Sequence, residues 1–422
     1  MKFCYMFLLF ILYSSHTGSQ NLEQINSAMI FKDRCFSDRI KSVKLYRSDS
    51  QINDPVINLY SSETVTLVFD ELLNEDEDES DYYYTVEHCD ADWANESLLL
   101  QNEYMDGFKE NSFDRIFHSQ NTRINYRHFH LDIPNSNVRL KISGNYFVKV
   151  FDRKNSNLVL QKGFSVVEPV TSVNASFLPK ILSDCSQQLD IKVKYNTLHV
   201  ADAYSNLKLR IEQNSTRVPG SKIPVVAFSY PQYADYTRTD KNKFGGFNEF
   251  RSFDTRSLMF NGEGVAGRYI NNNEVFEVSL TLDNVLDSYT STKDINGKYM
   301  IASEYATFPE IQSDYAEVIF TLSANILIEG RLFLFGELTN YSLSDKYELK
   351  FENNIYRCKA LLKQGYYNYR YVIVKPNGEI DMSRTDGCFF ETKNAYGIYV
   401  YYRSQENNRC DHLVGFSMLN SK

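Results

Sequence analysis

The strongest constraint on this chain is the way bulky side chains alternate along short segments. In the segment that begins at Tyr82, the side chains of Tyr82, Tyr84 and Val86 fall on one side. Successive side chains of a β-strand point to opposite faces of the sheet, so a period of two predicts a strand. The chain contains 31 tyrosines and 29 phenylalanines, which favour strands, whereas apolar stripes of helical period are scarce. The sequence therefore predicts an all-β protein.

The length of the chain and the spacing of its strands predict several sandwich domains. A chain of 422 residues is longer than one ordinary hydrophobic core can accommodate. About seven short strands in the first part, separated by turn residues, are typical of an immunoglobulin-like β-sandwich. Trp93, the only tryptophan, follows an aromatic strand and is predicted to be a buried core residue under a loop. We expect tandem sandwich domains at residues 36–168, 169–322 and 324–422, the last with a tail.

The N-terminus has the pattern of a secretory signal peptide. Lys2 precedes the apolar run Phe3–Tyr13, and the small residues around Gly18 provide a cleavage site. We expect residues 1–19 to be removed by a cut near Gln20. The alternative is a membrane anchor, but the run is shorter than the ~20 residues that a transmembrane helix needs.

Charge and motifs argue against several function classes. The formal net charge is −9, which repels nucleic-acid phosphates. The sequence contains no G-x-S-x-G, no H-E-x-x-H and no Walker-type glycine loop. His128 and His130 share one strand face but have no third ligand nearby, so packing or surface roles are expected. We predict no enzyme activity, no cofactor and no metal site.

Cysteine spacing gives little sign of a disulfide scaffold. Of the seven cysteines, Cys4 lies in the predicted signal, and no C-x-x-C pair indicates a zinc or thioredoxin-like site. We expect most cysteines to be free and buried, with a bridge among Cys358, Cys388 and Cys410 as the alternative. The cysteines of the mature chain are Cys35, Cys89, Cys185, Cys358, Cys388 and Cys410.

The segment Tyr230–Asp254 is crowded with aromatic and basic side chains and is predicted to be a long loop. Tyrosine, phenylalanine and arginine are prominent at protein interfaces, so we expect this loop to contact a partner protein. The alternative is a loop that packs only on its own domain, or one in which Asn248, Glu249 and Arg251 pair with each other. The candidate contact residues are Tyr233, Tyr236, Arg238, Lys241, Lys243, Phe244 and Phe247.

Four motifs in the first part of the chain have a specific order. They are His88–Trp93, Glu103–Phe108, Ser119–Thr122 and Ser143–Tyr146. With these motifs the chain resembles the first domain of type IX secretion system plug proteins, which are periplasmic proteins of Bacteroidota-type bacteria. The resemblance extends over nearly the whole mature chain through Gly246–Asp254, Leu362–Tyr369 and Phe389–Asn394.

The resemblance implies a non-enzymatic periplasmic plug that binds and seals a giant outer-membrane β-barrel translocon. It implies a monomer until bound, located in the periplasm and peripherally associated with the outer membrane. The C-terminal domain is also similar to early-set immunoglobulin-like domains, some of which bind starch or glycogen. Those carry tryptophan where Tyr341 stands. The alternative function is a periplasmic or secreted carbohydrate-binding protein, which exposed tyrosines on one sheet face would favour.

Overall fold

The structure, a computed structural model, describes residues 33–74, 79–94, 96–180, 184–195, 197–237, 240–323, 328–405 and 408–421. The predicted signal peptide and Arg238 lie outside these residues. The described chain forms an all-β protein with several sheets, as the alternation of its side chains predicts.

The first unit is a sandwich of two large sheets that enclose a core from Ile40 to Val166. One sheet has the order β1-β12-β11-β5-β7, with β3 parallel to β12, and the other has the order β2-β4-β9-β8. A short β10-β6 pair and a helix at Gln101–Tyr104 close one end. The strands are β1 Arg34–Cys35, β2 Ile40–Arg47, β3 Val56–Asn58, β4 Val65–Leu72, β5 Tyr82–Cys89, β6 Met105–Gly107, β7 Asn111–Ser112, β8 Arg115–His118, β9 Tyr126–Ile133, β10 Val138–Leu140, β11 Gly144–Asp152 and β12 Leu158–Val167.

The second unit begins with seven strands and a helix at Ala203–Asn206. One of its sheets has the order β13-β14-β18-β17, with β19 also paired to β14. These strands are β13 Ser172–Phe177, β14 Ser186–Lys194, β15 Leu207–Gln213, β16 Thr216–Lys222, β17 Phe228–Tyr230, β18 Tyr233–Asp235 and β19 Lys243–Gly245.

The third unit follows, with helices at Pro309–Gln312 and Ser383–Asp386. One sheet has the order β21-β22-β24-β27-β26, and the other is built around β28. The strands are β20 Arg251–Asp254, β21 Val265–Ile270, β22 Phe276–Leu280, β23 Tyr299–Ile301, β24 Tyr315–Ser323, β25 Arg331–Phe335, β26 Lys350–Glu352, β27 Ile355–Lys363, β28 Gly365–Val374 and β29 Ile380–Asp381. The chain then returns to the second unit as β30 Ala395–Tyr402 and β31 His412–Asn420, which complete the sheet β16-β15-β30-β31.

The sheets cross the expected boundary between residues 322 and 324. Strand β15 pairs with β30, with Leu207 opposite Tyr402, and β24 pairs with β27, with Tyr315 opposite Lys363. The third unit is therefore inserted into the second, which is discontinuous in sequence. Alternation identifies strands but not their partners, so it cannot reveal an insertion. The division into domains 169–322 and 324–422 also implies that each part folds independently, and this stays a prediction.

Trp93 is buried against Phe147 and Cys89, with 5.3 Å between the Trp93 and Phe147 ring centroids, which confirms its predicted core role. Cys35, Cys89, Cys358 and Cys410 form no disulfide bond, and all but Cys35 are buried.

The alternative of a bridge among Cys358, Cys388 and Cys410 is wrong, because Cys388 bonds to Cys185, which lies 203 residues earlier. The insertion brings these two cysteines together, and no local spacing could indicate it. The disulfide joins the start of β14 to the segment by which the chain leaves the inserted unit.

Candidate partner-binding surface

A buried charged cluster fixes the first unit against the inserted unit. Asp70 of β4 accepts hydrogen bonds from the Lys363 ammonium at 2.6 Å and from the Tyr315 hydroxyl at 2.7 Å. Nδ1 of His128 lies 2.7 Å from the same carboxylate. Burial acts to raise the pKa of Asp70, but Lys363 and His128 outweigh it and hold that pKa below its usual value.

A second contact of this kind lies beside the first. The fully buried ammonium of Lys44 donates to the carbonyl of Tyr299 at 2.6 Å and to Glu337 Oε2 at 2.5 Å. Burial lowers the pKa of Lys44 to about 8, although Glu337 opposes the shift. We call Asp70, His128, Lys363, Tyr315, Lys44 and Glu337 the charged seam.

The second unit is attached to the first by a separate set of polar contacts. Arg403 pairs with Asp90 at 2.7 Å and with Asp411 at 2.7 Å. The hydroxyl of Tyr401 donates to Asn145 Oδ1 at 3.0 Å. Each unit therefore contacts both others, and the described chain forms one assembly.

A polar pocket lies where the three units meet, lined among others by Asp54, Lys162, Lys298 and Tyr341. Its charged groups pair across the junction. The Lys298 ammonium lies 2.6 Å from Asp54, and that of Lys162 lies 2.8 Å from Asn340 Oδ1. The pocket is thus a gap at the junction of the units, and its polar groups already form contacts that hold the units together. In the part of the chain that the structure describes, no three histidine, cysteine or acidic side chains form a metal-sized group.

The segment Tyr230–Asp254 is not a long loop, so that prediction is wrong. It contains β18, β19, β20 and a 3-10 turn, and Tyr230 ends β17. Strands of three or four residues are too short to show an alternation that sequence reasoning can recognise.

The predicted contact residues are divided between core and surface. Tyr236 and Phe244 are buried in the second core, where the Phe244 ring lies 5.2 Å from that of Tyr396. Phe247 is half-buried, and the Arg370 guanidinium lies 5.6 Å from its ring centroid.

Tyr233, Lys241 and Lys243 provide the remaining surface. Tyr233 is half-buried and stacks on Tyr230, Lys241 is exposed, and Lys243 lies 2.6 Å from Asp184. Their role in binding a partner stays a prediction.

The alternative in which Asn248, Glu249 and Arg251 pair with each other holds only in part, since Asn248 Oδ1 accepts from the backbone N–H of Glu249 at 3.0 Å. Asn248 donates to the carbonyls of Ser288 and Asp386, each at 3.1 Å. Glu249 accepts from the Tyr289 hydroxyl at 2.7 Å, and Arg251 bonds to Asp386. These residues hold the beginning of the inserted unit against its end.

Sequence reasoning missed an exposed stretch that begins before this segment and overlaps its first residues. Residues 223–234, which we call the uncharged edge, contain no acidic or basic residue. Ile223, Val225, Phe228 and Tyr230 are nevertheless exposed. The signal available in the sequence was the absence of charge over twelve consecutive positions in an acidic, 23% charged chain.

The tyrosines that would form a carbohydrate platform are not available to a ligand. Tyr367, Tyr369 and Tyr371 are buried in the core of the inserted unit. Tyr369 and Tyr371 each donate a hydrogen bond of 2.8 Å to Asp283. An aromatic surface for sugar stacking is therefore absent from this face of the described β28.

Residues 40–168 match the family model described as the type 9 secretion system plug protein 1st domain. The match of the first unit supports the type IX secretion system plug family. This domain match supports a role associated with type IX secretion. Among the described residues, no helix has the length and apolar character needed to cross a membrane.

Similarity to solved structures covers the rest of the chain. A crystal structure of a hypothetical protein from Parabacteroides merdae has a TM-score of 0.88 and 29% identity, and covers 93% of this chain and 99% of that one. The C-terminal domain of the Streptococcus pyogenes antigen I/II-family protein AspA, with a TM-score of 0.18 and 8% identity, carries no argument. None of the curated proteins matches the chain.

Proposed function

We propose that this plug-family protein is a non-enzymatic periplasmic plug, which binds and seals the giant outer-membrane β-barrel translocon of the type IX secretion system. The observation that carries the proposal is the family match over residues 40–168. An exported protein with a cleaved signal peptide is part of the same proposal, because the plug must reach the periplasmic mouth of the barrel.

The assembly of the three units supports a sealing role. A wide, water-filled barrel leaks unless a body of fixed shape covers its opening. The charged seam, the Arg403 contacts and the Cys185–Cys388 disulfide connect every pair of units. Such connections oppose relative motion, so the units would present one continuous surface to the barrel. We also propose that the exposed Lys241 and the half-buried Tyr233 and Lys243 contribute to this contact.

The test is binding to detergent-solubilised outer membranes from a bacterium that has the type IX system. Immobilised native protein should retain the giant barrel protein, identified by mass spectrometry, whereas an unrelated secreted β-sandwich of similar net charge should not. Equal recovery on both supports, or no recovery on either, would contradict the proposal. Binding to soluble starch or glycogen in a parallel assay would instead favour the carbohydrate-binding alternative.

A further inference from the structure

The uncharged edge lies at the margin of a sheet. Strand β17 is the last strand in the order β13-β14-β18-β17, and in the described part of the chain no strand pairs with its outer side. An unpaired edge presents backbone N–H and C=O groups that another strand can use. Soluble proteins protect such edges with charged side chains or cover them.

Three other strands that end sheets in the described chain carry charged side chains. Strand β8 carries Arg115, β21 carries Arg268, and β26 carries Lys350 and Glu352. Strand β17 has the sequence Phe-Ser-Tyr, and all three residues are exposed. The apolar exposure continues before the strand, since Val225 is 63% and Phe228 60% exposed. Exposed apolar segments of this composition aggregate unless a partner covers them.

The edge is also held in shape before any partner arrives. The rings of Tyr230 and Tyr233 stack with 4.2 Å between centroids across the β17-β18 turn. The Tyr195 hydroxyl donates to the carbonyl of Tyr230 at 2.7 Å. A strand whose conformation is fixed in the free protein loses little entropy on pairing.

We propose that this edge accepts an extended strand segment of the translocon, which continues the sheet beyond β17. The inference rests on the proposed plug function and names the part of the plug that makes the contact. Pairing of backbone groups along an edge is an established mode of peptide recognition.

Charge indicates the character of that segment. The flanking charged residues are engaged within the protein, since Lys222 donates to the carbonyl of Asp240 at 3.4 Å and Asp235 lies 3.9 Å from Lys192. A charged side chain entering the edge would lose water without gaining a partner. The complementary segment is therefore uncharged and apolar or hydroxylated.

Area argues against a second copy of this chain as the occupant. Strand β17 has three residues, and self-pairing of such short strands buries far less than the ~800 Å² per partner of a stable dimer. The edge is large enough only as one part of a wider contact, which a large barrel protein can supply.

The test compares the double variant Val225→Lys/Phe228→Lys with the matched variant Met259→Lys/Phe260→Lys. Met259 and Phe260 are 63% and 65% exposed in the inserted unit, so both variants replace equally accessible apolar side chains. Binding to the purified, detergent-solubilised barrel should weaken at least about tenfold in the first variant and little in the second. Amide hydrogen exchange should show protection of residues 223–230 in the native complex, a readout that does not depend on the folding of any variant.

The outcomes distinguish a failure of the edge inference from a failure of the plug function. If native protein binds the barrel but the edge variant binds equally well and residues 223–230 gain no protection, the edge inference is overturned and the plug function stands. If native protein does not bind the barrel, both are overturned. If sedimentation shows a native dimer that the edge variant abolishes, a second copy occupies the edge and the translocon segment does not.

Discussion

The charged seam and the uncharged edge both depart from the usual distribution of residues in a folded protein. The seam buries charged side chains, and the edge exposes apolar ones. In the seam, Asp70, Lys363 and Lys44 are buried, whereas charged groups are normally exposed. Along the edge, Val225 and Phe228 are exposed in a stretch without charge. A buried charge needs its partner in a specific position, so the seam determines how the units pack against each other. An exposed apolar edge is normally covered by another protein segment, so it indicates a partner outside the chain.

The largest expected effect comes from removing one charge of the seam. Lys363→Met leaves the Asp70 carboxylate buried with fewer donors, so we expect the free energy of unfolding to fall by about 3–5 kcal/mol. The matched variant is Lys359→Met on the same strand. The Lys359 side chain is 45% exposed, against 1% for Lys363, so its loss should cost less than ~1 kcal/mol.

Denaturant unfolding of both variants measures this difference. The double variant Asp70→Asn/Lys363→Met should recover part of the loss, because no uncompensated charge remains. Equal stability of the two single variants would mean that the seam does not determine the packing of the units.

The disulfide gives the next effect. Replacing Cys185 and Cys388 by serine releases a loop of about 200 residues, so unfolding should become easier by about 2–5 kcal/mol. Cys35→Ser is the control, because Cys35 is free and half-buried. Calorimetry without reductant should show a lower Tm for the double variant and a near-native Tm for the control. Identical melting of all three proteins would show that the bridge contributes nothing to the assembly.

His88 predicts a pH dependence within the first unit. Burial lowers its pKa from 6.5 to about 4 in the folded protein. The unfolded chain therefore binds a proton that the folded chain excludes, and stability falls as pH decreases from 6.5 to 4. The loss attributable to His88 is roughly 2–3 kcal/mol at the acid end.

The variants His88→Gln and the exposed His118→Gln test this assignment. The first should be less stable at pH 7 but lose less stability on acidification, and the second should follow the native curve. Unfolding free energies measured at pH 4 to 7 provide the comparison. An unchanged slope in His88→Gln would assign the acid sensitivity to other groups.

The smallest effect is expected from the basic residues beside the uncharged edge. Replacing Arg238, Lys241 and Lys243 together by serine should change the free energy of unfolding by less than ~1 kcal/mol, because Lys241 is exposed and the Lys243–Asp184 pair lies near the surface. If these residues contact the translocon, binding should weaken and its salt dependence should flatten. Unchanged binding at every salt concentration would restrict the contact to the uncharged edge.

The limits of sequence reasoning in this chain follow from what each pattern encodes. Alternation around Tyr84 and Val148 predicted strands that the structure contains, and a lone Trp93 predicted a core position, because both signals are local. The pairing of β15 with β30 and of Cys185 with Cys388 depends on an insertion that no local pattern encodes.

Two of the predicted contact residues lie in a core for a related reason. Tyr236 and Phe244 are residue types that are common at interfaces, yet both are buried in the second core. Aromatic residues serve cores and interfaces equally well, so composition alone could not separate the two. The missing charge of residues 223–234 was the more informative signal, and its meaning required the exposure that only the fold provides.

The most direct test of the plug function is the ion conductance of the purified translocon barrel in a planar bilayer. Native protein added at the periplasmic side should close the open channel, whereas Val225→Lys/Phe228→Lys at the same concentration should leave it open. A channel that stays open with native protein at concentrations that saturate binding would contradict the account.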